Sequence, residues 1–276
     1  MQSNRWNRMF AWTTMVLLLI GCAALAQGLT ADDILDRMDT EADALAEGSM
    51  IMKMRFDNAY SDGTTASNTF AGLSKPGKSL VYFLEPEDVQ GTIFLTLDSA
   101  EEDADTRLWL YLPLLGTPKE LVSEEDRGGS FAGSSISYED IGGDDQREGY
   151  DAVLIGEETI PVGDETRPAY AIESTAKPDT DKDIVRTVLW VDKEDFVMLR
   201  MEAYNDLGNL EQALEVTALG EFEGQLVADG MVARDVLEES ETTITFLERR
   251  RPAGEIADEV FDPAILASFD PAAWGF

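Results

Sequence analysis

The sequence predicts a mainly β protein of the α+β class, an unclosed antiparallel β-barrel with a helical lid. Three observations point there. A single amphipathic helical stretch near the start gives way at Met50 to a two-residue apolar period. Short segments of that period then recur to about residue 248 with turn residues between them, and no heptad or internal repeat interrupts them. A sheet so large must close on itself or be covered, because bare strand edges recruit other chains. A curved, incomplete barrel with the helix across its mouth meets that need.

Taken in order, Met1 to Gln27 read as an export signal: a basic, acid-free start with Arg5 and Arg8, an apolar stretch from Met9 to Gly21, and the small-residue end Ala24-Leu25-Ala26. Cleavage after Ala26, giving residues 1–26 as signal peptide, is the favoured outcome and places the protein in the periplasm. The run Leu19-Ile20-Gly21-Cys22 also resembles a lipobox, and acylation of Cys22 would instead anchor the protein to a membrane. The short interval between Cys22 and the first helix leaves little tether for such an anchor.

Thr30 is an N-cap candidate, with Asp32 and Asp33 in the first turn, and Ile34, Met38, Ala42 and Leu45 recur at helical spacing as far as Gly48. Met50, Met52, Met54 and Phe56 then alternate with Ile51, Lys53 and Arg55, so a strand follows directly. Further strands are expected over 66–73, 79–84, 92–97, 107–112, 151–155, 169–175, 184–191, 197–204, 211–219, 231–237 and 242–248. Lys75-Pro76-Gly77 and Asn205 to Gly208 serve as hairpin turns. Gly128 to Asp145 reads as a loop with one helical turn near Ser137 to Ile141, and the tail from Asp258 as a short helix that closes an apolar face. No Pro/Gly/Ser linker divides the strands, so residues 27–276 are expected to form one domain.

Composition excludes several chemistries. The chain has no His and one Cys, which removes imidazole-based triads, HExxH zinc sites and disulfide frameworks. A formal charge of −34 repels phosphate backbones, so nucleic acid is not an expected partner. Paired acids occur by chance at this composition and none sits in a hydrolase motif; no enzyme activity, cofactor or metal is expected. Asp179, Asp181 and Asp183 imitate a calcium loop, but Ile184 stands where the turn glycine belongs and Trp190 where the closing Glu belongs. The run from Asp98 to Asp105 is read as a solvated hairpin loop.

Segments 93–95 and 108–112 are apolar without alternation, which means burial on both faces. Either a cover and a core enclose them, or one face lines a cavity for a hydrophobic ligand. Met50, Met52, Met54, Phe94, Trp109 and Tyr111 are the candidate lining residues, and each could equally be ordinary core.

The segment Arg107-Leu108-Trp109-Leu110-Tyr111-Leu112-Pro113, followed by Gly129 to Ile141 (GSFAGSSISYEDI), resembles the signature of the bacterial outer membrane lipoprotein-sorting family, relatives of the periplasmic carrier LolA. The export signal, Thr30 to Leu35, the segment Trp190 to Gly208 and the final Phe261 to Leu266 extend the resemblance over most of the mature chain. It implies a LolA/LolB-like unclosed barrel whose apolar cavity holds the acyl chains of lipoproteins or another lipid. It further implies an inner-membrane exporter and an outer-membrane acceptor as partners, or, for the alternative anchored form, an acceptor or an accessory protein of an RND-type lipid exporter. Ser135 departs from the signature, where an acid is usual. Within the signature, Gly133 and Ser134 are assigned to a tight turn, and Tyr138, Glu139 and Asp140 to holding the loop against the barrel. Arg107 either holds a lid or headgroup or pairs with Glu139-Asp140. An acyl chain of myristoyl size carries about 0.8 kcal/mol of exposed apolar cost per methylene, so a carrier must enclose it.

Overall fold

The computed structural model describes residues 28–99, 106–142, 147, 149–178, 180 and 183–276. The export segment with Cys22, residues 100–105 of the acidic run, and Asp179 and Asp181 of the calcium-like run lie outside the described residues.

Helix α1 (Ala31–Ala46) begins at Thr30, whose side chain accepts the Asp33 N–H while the Asp33 carboxylate accepts the Thr30 N–H, a reciprocal capping box. The strands are β1 (Met50–Ala59), β2 (Thr65–Lys75), β3 (Lys78–Glu85), β4 (Ile93–Leu97), β5 (Arg107–Tyr111), β6 (Pro118–Leu121), β7 (Tyr150–Val162), β8 (Glu165–Ala176), β9 (Arg186–Asp192), β10 (Met198–Tyr204), β11 (Leu210–Phe222), β12 (Gln225–Asp235) and β13 (Ser240–Arg250). Between β6 and β7 lie the short helices α2 (Glu124–Arg127) and α3 (Tyr138–Gly142). All thirteen strands form one antiparallel sheet in the order β6-β5-β4-β3-β2-β1-β13-β12-β11-β10-β9-β8-β7. Its two edges do not pair, so the barrel is unclosed as expected from the sequence. The far end of β7 nevertheless turns in to meet β10 and β11.

The sequence reading misses β6, which is four residues long, opens on Pro118 and carries Lys119 and Glu120, so neither length nor apolar period marks it. The tail also differs from the expected helix. It forms three 3₁₀ turns, Asp258–Phe261, Pro263–Ser268 and Pro271–Trp274, because Pro263 and Pro271 each restart the chain before a longer helix can propagate.

Pairing across the sheet fixes its two faces. Asn58, Thr242, Ala233, Leu214, Met201, Leu189 and Ile172 stand directly opposite one another along successive strands, and so share a face. At one end of this row Ile34 and Leu35 of α1 pack on Ile172 and Val191. At the other end Phe131, from the α2–α3 segment, packs on Phe56, Phe70 and Phe83. Helix and loop therefore cover the same face. The reverse face of β10 to β13 is charged, with ion pairs Arg200–Glu215, Arg234–Glu215 (2.9 Å) and Arg234–Glu241 (2.8 Å). In the β1–β5 half, the reverse face is apolar instead, where Ile51, Leu73, Leu80 and Leu95 lie under Ile256, Phe261 and Leu266 of the tail.

Candidate functional site: an apolar floor between two lids

The floor is built by strand parity. Met54 pairs with Phe70 on one side and Phe246 on the other, and Met231 pairs with Ile244 next to Phe56, so these side chains join Leu214 and Met201 on the lid-bearing face. Met54, Phe246, Met231, Leu214 and Met201 are only partly buried, whereas Phe56, Phe70 and Ile244 beside them are buried. They form a strip between α1 and the loop. Gly72 keeps the strip low: a Cβ there would lie 3.4 Å from the Met52 Cε and 3.7 Å from the Met54 Cε. Unbranched thioether chains over a glycine make an adaptable apolar surface.

The second half of α1 adds a thin cover. Ala42 is exposed, and Met38 and Leu45 are partly buried, although all three belong to the apolar stripe of the helix. The helix is held instead by polar contacts at its far end, Arg251 to the Leu45 carbonyl at 3.0 Å and Gln225 to Glu41 at 2.8 Å.

The loop is held by a different device. Phe131 is buried in a ring cluster with Phe56, Phe70, Phe83, Phe94 and Tyr138, at centroid distances of 5.4 to 6.0 Å. Beside it, Asn58 and Asn68 both donate to the Ala132 carbonyl at 3.3 Å. The Thr242 hydroxyl accepts the Ser135 N–H at 2.8 Å and donates to the Asn58 side-chain Oδ1 at 2.9 Å. Ser135 and Ser240 share a hydrogen bond of 2.9 Å. Burial raises the Tyr138 phenol above its ordinary value.

The space beneath the loop is thus filled in this structure by Phe131 itself. An open groove of about 500 Å³ lies on the tail side instead, lined by Lys78, Leu97, Arg107, Asp258 and Phe261 among others. The residues singled out from the sequence divide between the two faces. Met50 is buried where β1 starts, opposite Ser74, and Met52 and Met54 lie on the floor. Phe94 is buried in the Phe131 cluster. Trp109 pairs with Leu95 and Tyr111 with Ile93, and both pack under the tail on the opposite face, with the Trp109 Nε1 buried and without a hydrogen-bond partner. One cavity cannot be lined by all six.

Gly133 makes the tight turn at φ +71, where a Cβ would come within 2.8 Å of the Tyr60 hydroxyl. The Ser134 hydroxyl donates to the Ile136 carbonyl and accepts its N–H, both at 3.2 Å. Asp140 accepts the Ser137 N–H at 2.9 Å and its hydroxyl at 2.8 Å, fixing the start of α3. The expected pairing of Arg107 with Glu139-Asp140 is corrected. Arg107 bonds Glu120 on the adjacent β6 at 2.7 Å, and Arg127 stands 3.6 Å from Glu139. The hairpin partner is nearer than the loop, which is why it wins.

Sequence reasoning missed Phe131, Asn58, Asn68 and Thr242. A signal for the asparagines was present, since each falls in step with a phenylalanine, Phe56 or Phe70, on a face that is otherwise apolar. A polar residue in that phase must find a buried partner.

Comparison with known proteins agrees with this architecture. No protein of curated function matches the chain. A crystal structure of a DUF1329 family protein from Desulfovibrio piger superposes with a TM-score of 0.74 at 25% identity, over 86% of this chain and 98% of that one. A domain described as that of an outer membrane lipoprotein-sorting protein, from Vibrio parahaemolyticus, gives 0.70 at 22% identity, over 85% and 97%. A LolA superfamily protein from Nitrosomonas europaea gives 0.64 at 19% identity, over 85% and 98%. A family model described as "-like: Uncharacterized protein" matches residues 75–268. The chain accordingly belongs to that family, and its fold is LolA-like.

Proposed function

We propose that this protein is a non-enzymatic periplasmic carrier, which takes up the acyl chains of a lipoprotein or another lipid on the floor between α1 and the Phe131 loop. The observation that carries the reading is the makeup of the lid contact. Phe131 is the one fully buried aromatic of the loop and fills the apolar space with Tyr138 beside it, while the loop backbone is tied down by side-chain hydrogen bonds to Asn58, Asn68 and Thr242. Burying a phenylalanine is worth about 1.5–3 kcal/mol, and each net hydrogen bond about 1 kcal/mol. An acyl chain of myristoyl size gains roughly 10 kcal/mol on leaving water, enough to displace Phe131 and its ties. The Met-rich floor would then accept the chain in its place.

The likeness of the fold to a lipoprotein-sorting domain and to a LolA superfamily protein supports an envelope role, and an exporter and an acceptor would then be its partners. Cleavage after Ala26 would free the carrier. Acylation of Cys22 would make it an anchored acceptor or an accessory protein of a lipid exporter, and Cys22→Ala separates the two by moving an anchored protein to the soluble fraction.

The test is direct. Organic extraction and mass spectrometry of the purified protein should release lipid, and a fluorescent fatty acid should bind, more tightly to Phe131→Ala than to the parent chain. Failure to find lipid in any preparation, together with no uptake by either form, would remove the carrier reading.

A further inference from the structure

The two edges of the sheet are unlike. One is β6, only four residues long and opening on Pro118, which gives an incoming strand little to pair with. The other is β7, thirteen residues long and paired among the described residues only with β8. Its last residues turn toward β11, where a Cβ on Gly163 would touch the Thr217 carbonyl at 3.0 Å. In the stretch before that, Ala152 packs beside α1, whereas Val153 and Ile155 are each 52% exposed and Leu154 38%. A long edge with an apolar centre is a template for a further strand, and charges or a bulge along it restrict which strand can pair.

The charges along β7 say what would pair there. Asp151, Glu157 and Glu158 flank the Val153-Leu154-Ile155 triplet, and the strand itself carries no Lys or Arg, although Lys193 bonds Glu157 at 2.6 Å and Lys177 stands 3.8 Å from Asp151. A second copy of this chain is disfavoured. Antiparallel self-pairing about Leu154 would set Asp151 against Glu157, between bodies each of formal charge −34. The bulge at Ile155, between Leu154 and Gly156, adds a further bar to indiscriminate pairing.

We propose that the outer edge of β7, from Asp151 to Glu158, docks an extended peptide segment of a partner protein, apolar at its centre and basic on both flanks, as an added strand. The site does not depend on lipid uptake. Leu154 pairs with Ile172, though, and so ends the row that reaches the floor through Leu189 and Met201.

The experiment uses the whole chain and a short synthetic peptide with a Val-Ile-Val centre and lysines at both ends. Hydrogen exchange of the amides of residues 151–158 should slow about tenfold or more on saturation, less so at high salt. A control peptide with glutamates in place of the lysines should leave it unchanged. Val153→Lys with Ile155→Lys, both half-exposed positions, should abolish the protection; if that variant does not fold, the two peptides on the parent chain carry the same test. Unchanged exchange with the lysine peptide, equal slowing by both peptides, or protection that rises with protein concentration in the absence of peptide would each overturn the proposal. Fatty-acid uptake is read separately, so either proposal can fail alone.

Discussion

The backbone N–H of Ser135 donates to the hydroxyl of Thr242 at 2.8 Å, joining the loop to a central strand 107 residues further on. The same hydroxyl donates to Asn58, so one buried group serves both the lid and the sheet beneath it. Thr242→Val keeps the shape and removes both bonds. It should cost about 1–3 kcal/mol for the groups left unpaired, measured by denaturant unfolding. Protease cleavage within residues 123–142 should quicken more than the loss of global stability accounts for.

Gly133 faces two separate obstacles to a side chain, its φ of +71 and the Tyr60 hydroxyl 2.8 Å from any Cβ. Gly133→Ala should therefore destabilise by about 1 kcal/mol or more. Adding Tyr60→Phe should restore only the part due to the clash. A double-mutant cycle in thermal unfolding checks this, and full recovery would show that the backbone conformation costs nothing there.

Asp192 is fully buried and takes a two-pronged bond from Arg167, at 2.7 and 3.0 Å. Burial alone would push its carboxyl up, but Arg167 and the N–H groups of Asp195 and Glu194 outweigh burial and hold it below the ordinary carboxylate range. A depressed carboxyl contributes stability that is present above the unfolded value, near 3.9, and is lost as pH falls through the folded one. Asp192→Asn should cost about 1–3 kcal/mol at neutral pH because Arg167 loses its two-pronged partner and keeps only Asp195, at 2.5 Å. The variant should also lose less stability than the parent below about pH 4, as read from unfolding midpoints over an acid series.

Tyr138 carries the opposite sign. Burial raises its phenol, so its contribution is complete below the ordinary value near 10 and is lost as pH rises through the raised one. Loop protection should therefore weaken in strong alkali in the parent chain, and Tyr138→Phe should keep it, as followed by proteolysis of the loop against pH. Equal weakening in both would place the alkaline effect elsewhere.

What the sequence determines here is local. Thr30 and Asp33 mark where α1 starts, short apolar or alternating segments between turn residues mark twelve of the strands, and glycines with positive φ such as Gly77 and Gly208 mark hairpin turns. Each depends on neighbours within a few residues, so the chain spells it out. The signature segment likewise carries the family resemblance. Tertiary structure alone decided what lies above each face. Phe131 rather than empty space sits on Phe70, the tail rather than a ligand lies on Trp109, and Arg107 meets Glu120 rather than Glu139. Strand parity says only that a residue faces one side or the other. Which distant segment fills that side depends on the curvature of the whole sheet and on contacts such as Ser135 with Thr242, which sequence spacing does not encode.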